Sequence, residues 1–261
     1  DEAMRRAAAD AFANPSSPHA PGRRARAILE DARECLTALL GGRVSGGARD
    51  RLIFTSGATE ANRLGMLGTA GPHPVTVGVS PRDHGSVIAA ADQLGARGCQ
   101  VHRLQLAADG SAVDAAASLA ASTPGRVLLS TTLVCGQTGI RESLEPLAGV
   151  GVGGRVFVHA DATQAAAWDA LSFATMPLTT MALAPHKFGG PRGIGCLLVR
   201  GGLDLTPLAP GPQELGLRGG TEAVPLAVGF AAALELAAAA REATRMRAAS
   251  LRDRFEEEFV A

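Results

Sequence analysis

Lys187 lies in Ala184-Pro185-His186-Lys187-Phe188-Gly189-Gly190, directly after an apolar run at 180–183. A lysine at the end of an apolar strand is desolvated, which lowers its pKa and frees the amine to attack a carbonyl carbon. Arginine supplies nearly all the positive charge of the sequence, so an ordinary solvated lysine is the weaker reading. Asp161 closes the apolar run 156–160, and Gln164 follows three residues on. A carboxylate at the buried end of a strand is costly unless it meets a cation such as a protonated ring nitrogen. A third segment, Thr55-Ser56-Gly57-Ala58-Thr59-Glu60-Ala61-Asn62, follows a strand-like run and opens a helical one. Its small residues leave backbone N–H groups and a helix dipole open to a phosphate. Read singly, Asp161 could cap a helix, and Ser56 or Thr59 could be a plain N-cap with Glu60 behind it. Together the three segments hold the anchors of a pyridoxal phosphate site: a phosphate turn, a carboxylate for the ring nitrogen and an amine for the aldehyde.

The elements needed to bring these segments together are legible as a βαβ rhythm. Strand-like runs at 51–55, 75–79, 100–104, 127–131 and 156–161 alternate with helical patterns at 86–94, 113–121 and 144–150. The runs VTVGV, RVLLST and RVFVHA are continuously apolar, as expected of strands covered by helices on both faces of a mostly parallel sheet. Further strands are expected at 180–183 and 195–199, a first long helix at 24–40 and an Ala-rich helix from 224 to about 240. In such sheets ligands sit outside the carboxyl ends of the strands. Those ends carry Thr55–Thr59, Asp83-His84, Thr131-Thr132, His159–Asp161 and Pro185–Lys187.

The 261 residues are 46% hydrophobic, with 25 basic against 25 acidic side chains. This composition excludes intrinsic disorder and leaves no basic field for nucleic acid or an anionic membrane. Charged residues and glycines interrupt the apolar stretches, so no membrane span is expected. Four cysteines, Cys35, Cys99, Cys135 and Cys196, lie far apart without CxxC spacing, which argues against zinc and against a disulfide framework, and a reducing cytoplasm fits them best. The sequence opens at Asp1 with no initiator methionine, and 241–261 reads as a charged amphipathic helix without a cap. Both ends are therefore expected to be incomplete.

The blocks IFTSGATEAN, HADATQA, APHKFGGPRGIGCLLVR and LRGGTEAVPLAVGFAAALELA, in this order and spacing, resemble the cysteine desulfurase branch of the class V aminotransferases, from about residue 14 onward. The resemblance implies fold type I, an α/β three-layer mostly parallel sheet like the large domain of aspartate aminotransferase. Residues 1–240 would form that pyridoxal-phosphate domain, and 241–261 would lead towards a mostly absent small domain. It implies that Ala58, Thr59 and His186 bind phosphate and that His84 stacks on the ring. Asp161 would pair with the ring nitrogen, Gln164 would meet the ring hydroxyl, and Lys187 would form the Schiff base. Thr221, in Arg218-Gly219-Gly220-Thr221, would reach the phosphate of a partner subunit in a homodimer. L-Cysteine would be the substrate, L-alanine the product, and a sulfur acceptor or iron–sulfur scaffold protein a partner. Other class V reactions, such as selenocysteine lysis or transamination, and a non-catalytic scaffold of the same fold are the alternatives.

The departures are specific. Cys135-Gly136-Gln137-Thr138-Gly139 stands where the family usually has Asn-Asn-Glu-x-Gly, and Ala184 stands where it has a phosphate-binding serine. The family's nucleophilic cysteine and carboxylate-binding arginine lie in a segment with no counterpart here. Cys35 and Cys196 read as core residues, and Cys135 alone is expected near the cofactor.

Overall fold

The computed structural model describes residues 2–260. Two helices open the chain, α1 (Glu2–Asp10) and α2 (Ala20–Leu39). α2 begins earlier than the apolar periodicity indicates, because the His19 ring nitrogen accepts from the Gly22 N–H and Pro21 fits the first turn. Seven strands follow: β1 (Arg51–Thr55), β2 (Thr76–Val79), β3 (Gln100–Arg103), β4 (Val127–Thr132), β5 (Val156–Asp161), β6 (Thr180–Leu183) and β7 (Gly195–Val199). They form one sheet in the order β1-β7-β6-β5-β4-β2-β3. From β6 to β3 every neighbouring pair is parallel, and β7 runs antiparallel between β6 and β1. The expected mostly parallel sheet is therefore present.

Helix α3 (Ala58–Arg63) and α4 (Gly85–Ala96) cover one face, while α2, α5 (Val113–Ser122) and α6 (Val224–Val260) cover the other, with α1 packed on α6. β4, apart from its last residue, and all of β5, β6 and β7 are buried, which accounts for their unbroken apolar sequence. The larger core lies on the α2/α5/α6 side around Leu29, Leu36, Phe173 and Phe230.

Three expectations change. The helical pattern at 144–150 shortens to a single 3-10 turn, Glu145–Leu147, because Pro146 opens it and glycines 149, 151, 153 and 154 follow. No break falls near residue 240: α6 runs without interruption to Val260, and beyond Arg241 it exposes Met246, Leu251, Phe255 and Phe259. Although no such segment was expected, α6 is long and apolar enough in part to cross a membrane. Here that part buries Val224, Ala227, Phe230 and Leu234 in the core.

β1 and the turn at Glu214–Gly216 are tied to α2 by a buried ion pair. Glu214 accepts from Arg33 at 2.7 and 3.0 Å and from the Phe54 N–H at 2.8 Å, while Arg33 lies over the Phe54 ring.

Candidate active site

The loops that leave the carboxyl ends of β1, β2, β4, β5 and β6 line a single cavity of about 690 Å³. Ala58, Thr59, His84, Asp161, Gln164, His186 and Lys187 all lie on its wall. Thr221 does not; it is exposed on the loop before α6.

At the β1 edge, α3 continues as helix to residue 70 and begins at Gly57, whose extended backbone carries no capping side chain. Neither Ser56 nor Thr59 caps the helix, so the first-turn N–H groups open onto the cavity. The Glu60 carboxylate instead accepts from the Ser56 N–H at 2.6 Å and from Arg218 at 3.0 Å. Burial works to raise the Glu60 pKa, but these donors outweigh it and hold the group below the usual glutamate value. The loop lies directly on the start of β7: a Cβ at Gly195 would sit 2.5 Å from the Gly57 carbonyl carbon and 2.8 Å from the Ala58 nitrogen.

At the centre, Asp161 is buried and accepts from the Asn62 side-chain amide at 2.8 Å and the Thr163 N–H at 3.0 Å. Among the described residues no cationic side chain pairs with it. Asn62 belongs to a polarised chain of hydrogen bonds. Thr180 donates to His159 Nδ1 at 2.9 Å, and His159 Nε2–H donates to Asn62 Oδ1 at 3.0 Å. The Asn62 amide donates to Asp161 and to Ser86 Oγ, and Ser86 donates to His84 Nδ1 at 2.7 Å. These acceptor roles assign Nε2 as the protonated nitrogen on both His159 and His84. Burial pushes the His159 imidazole down to about 4 against the attraction of Asp161, so it is neutral at physiological pH. A five-residue π-helical stretch, Leu64–Gly68, follows Asn62, and a Cβ at Gly65 would lie 2.4 Å from His159 Nδ1. The bulge thus presents a glycine where the imidazole needs room.

Asp83, beside His84, is a second buried carboxyl. It accepts from Ser130 Oγ, from Thr132 Oγ1 at 2.9 Å and from the Ser80 N–H at 2.9 Å. Burial, assisted by the charge on Asp161, raises its pKa above the usual aspartate value.

On the β6 side, Pro185–Lys187 form a 3-10 turn that sets His186 and Lys187 on the wall. Lys187 is the sole lysine of the sequence. It is exposed, so the desolvation expected from its place at a strand end is not provided by these residues. Burial, with the charges of Lys187 and Arg192, lowers the His186 pKa and favours its neutral form.

The sequence profile of the family described as aminotransferase class-V matches residues 2–259. The chain belongs to this family. It is 36% identical over 253 residues to a cysteine desulfurase of Bradyrhizobium diazoefficiens, covering 94% of this chain and 62% of that protein. It is 35% identical over 257 residues to an IscS-like cysteine desulfurase of Mycobacterium tuberculosis, covering 95% and 64%. The chain therefore spans a little under two thirds of the length of these curated relatives. Among solved structures it superposes on a NifS-like protein with a TM-score of 0.89 at 27% identity, covering 99% of this chain and 71% of the other. DndA from Streptomyces lividans matches with a TM-score of 0.82 at 28% identity, covering 97% and 72%.

Class V aminotransferases are pyridoxal-phosphate enzymes, and these residues fit that cofactor. The open helix start offers unpaired donors to a phosphate, and Asp161 is a buried anion that lacks a cation. Where the family has its Asn-Asn pair, a Cβ at Gly136 would fall 2.5 Å from the side-chain nitrogen of Gln164, Nε2, so the two residues share one small space on the cavity wall. Ala184 is fully buried and offers phosphate no hydroxyl.

Of the cysteines, Cys135 alone lines the cavity, as expected. Burial opposes its ionisation, but hydrogen bonds from Thr138 and the Gln137 and Thr138 N–H groups, with the charge of Arg82, bring its pKa below the usual thiol value. Cys35 is half-buried against Glu235 rather than enclosed in the core, and burial first, then Glu235, raises it to about 11. Sequence reasoning gave no role to Asn62, His159, Asp83 or Arg82. Asn62 lies within the quoted SGATEAN segment, but its partners come from distant strands.

Proposed function

We propose that this chain carries the cofactor site of a pyridoxal-phosphate cysteine desulfurase, which converts L-cysteine to L-alanine and passes the sulfur to a cysteine thiolate for iron–sulfur assembly or another transfer pathway. The observation that carries this reading is Asp161: a buried carboxylate oriented by Asn62 and Thr163, without a cation, on the same cavity as the sole lysine. Family relatives described as cysteine desulfurases support the choice of reaction.

When bound, the cofactor supplies a protonated ring able to take up the electron pair left at a substrate's α-carbon. The chain's residues divide the remaining work. The Ala58 and Thr59 N–H groups and His186 bind phosphate, and Asp161 holds the proton on the ring nitrogen. His84 covers the ring, with its orientation fixed by Ser86, and Gln164 meets the ring hydroxyl. The Lys187 amine takes the proton from the substrate's α-carbon and returns it. Thr221 serves the partner site of a homodimer. Its exposure outside its own cavity, on the loop whose Arg218 grips Glu60, supports that assignment.

Proton exchange tests the core of this reading. With cofactor bound, the α-protons of L-alanine and L-cysteine should exchange in D₂O, followed by NMR, and Lys187→Ala should abolish the exchange. Cofactor-loaded protein that exchanges neither amino acid would refute the proposal. Release of alanine and sulfide from L-cysteine in the presence of a reductant distinguishes desulfuration from transamination, which would give a keto acid.

A further inference from the structure

Asn62 stands at a branch point beneath the cavity. Its side chain is fully buried and its amide is used to capacity: one N–H donates to Asp161 Oδ2 at 2.8 Å, the other to Ser86 Oγ at 3.0 Å, and Oδ1 accepts from His159 Nε2 at 3.0 Å. Ser86 carries the branch on to the cavity wall, because its hydroxyl and its N–H both donate to His84 Nδ1, at 2.7 and 3.2 Å. Asp161 and His84 line the cavity from the ends of different strands, and among the described residues no hydrogen bond joins them directly. Two donors and an acceptor on one planar group are what the branch point demands, and a short amide side chain carries them.

The direction of each bond follows from Asp161. A carboxylate only accepts, and Asp161 Oδ1 is already occupied by the Thr163 N–H, so the Asn62 amide must turn its nitrogen towards Oδ2. That choice points Asn62 Oδ1 at His159 and requires the proton on Nε2, with the Thr180 hydroxyl donating to Nδ1. It also gives Ser86 Oγ a donor, which leaves the Ser86 hydroxyl proton for His84. We infer that Asn62 is a positioning residue that joins the carboxylate serving the ring nitrogen and the imidazole covering the ring face into one unit, whose hydrogen bonds run one way while Asp161 is charged. The inference rests on the proposed cofactor site for what the unit holds, whereas the unit itself belongs to the cofactor-free chain.

Histidine ¹⁵N spectra of the cofactor-free protein test the unit directly, with a readout that a role in packing alone would not move. His159 should carry its proton on Nε2. In Asp161→Asn the new amide cannot accept from both Asn62 and the Thr163 N–H, so Asn62 turns over and His159 should move its proton towards Nδ1. The His84 signals should shift in the same variant, because the Ser86 hydroxyl then turns to the Asn62 carbonyl. Ser86→Ala should shift His84 and leave the His159 tautomer as in the wild type. An Asp161→Asn variant in which either histidine keeps its wild-type signals would overturn the inference.

The loaded protein shows what the unit holds. With ¹⁵N in the cofactor ring, Asn62→Leu should lower the protonated fraction of the ring nitrogen at neutral pH and shift His84 as well, whereas Ser86→Ala should shift His84 alone. α-Proton exchange in Asn62→Leu should fall roughly ten- to hundredfold in kcat with KM nearly unchanged, since the lost bond is to a charged group that touches the cofactor and not the amino acid. A ring nitrogen as fully protonated in Asn62→Leu as in the wild type would overturn the inference. Where Asn62→Leu does not fold, Asp161→Asn and Ser86→Ala still decide it, because each cuts a single branch. Failure of the chain to bind the cofactor at all would refute the functional reading instead, and the tautomers of the cofactor-free protein would still decide the coupling.

Discussion

Gly195→Ala should detach the cofactor's phosphate without touching a side chain of the site. The new Cβ would lie 2.5 Å from the Gly57 carbonyl carbon, 2.7 Å from Gly57 Cα and 2.8 Å from the Ala58 nitrogen, whereas ordinary contacts begin near 3.4 Å. All three atoms are backbone, so no rotamer change relieves the clash. Gly195 is held opposite Thr55 in the β1–β7 ladder, and the Gly57–Ala58 loop must therefore retreat by roughly 1 Å. Such a shift removes one or two charge-assisted N–H bonds to phosphate, a loss of about 2–4 kcal/mol, or roughly 30- to 1000-fold in Kd. Cofactor titration followed by absorbance or by the fluorescence of Trp168, the single tryptophan, measures this directly. The strain itself costs about 1–3 kcal/mol, which thermal unfolding of the cofactor-free chain reports separately. Gly85→Ala is the control, because its Cβ meets nothing within 4 Å although it adjoins His84. If Gly195→Ala binds the cofactor as tightly as Gly85→Ala, the phosphate is not held by this turn.

Borohydride reduction of the loaded protein should fix the cofactor to the peptide containing Lys187, and Lys187→Ala should leave nothing fixed; cofactor retained on any other peptide would displace Lys187. His159 stays neutral down to about 4 when folded, while its unfolded value is near 6.5, so the unfolded chain takes up the proton first. Folding stability from this residue is complete above pH 6.5 and is lost as pH falls towards 4, by about 3 kcal/mol at most. Urea unfolding of cofactor-free His159→Gln should lack that component. Asp83, whose raised pKa acts in the opposite sense, is common to both proteins and cancels in the difference. Thr221→Ala should weaken cofactor retention, and mixed dimers with wild-type chains should regain one site of two; full affinity in a strictly monomeric variant would contradict a shared site.

The strands were legible where burial on both faces leaves an unbroken apolar run: 51–55, 156–161, 180–183 and 195–199 match β1, β5, β6 and β7 residue for residue. Local chemistry absent from that pattern moved the other boundaries, as with the His19 cap on α2 and the glycines after Glu145. The cavity-lining residues were legible because strand ends converge in this topology, but their supports were not. Asn62 meets its partners His159 and Asp161 at sequence separations of 97 and 99, and Arg82 meets Glu142 at 60. Such contacts leave no periodicity in the sequence. The desolvation of Lys187 was inferred from the strand before it, yet the turn at Pro185 carries the side chain out of the sheet into open space.

The centre of the site holds two buried carboxyls, and their surroundings separate their tasks. Asp83 is enclosed by the Ser130 and Thr132 hydroxyls and the Ser80 N–H, and burial, assisted by the neighbouring charge, raises its pKa against those donors. Three donors thus brace it beside His84 without a cation. Asp161 has only amide donors, from Asn62 and Thr163. The histidine that supports it through Asn62 cannot supply a positive charge, because burial keeps that imidazole neutral. Lys187 and Arg192 share the cavity, yet neither forms an ion pair with Asp161. The fold thus directs one unneutralised carboxylate at the cavity and arranges nearby groups so that none cancels it. A cation brought by the occupant completes this arrangement, and a ring nitrogen that holds its proton only beside an anion is the group it fits.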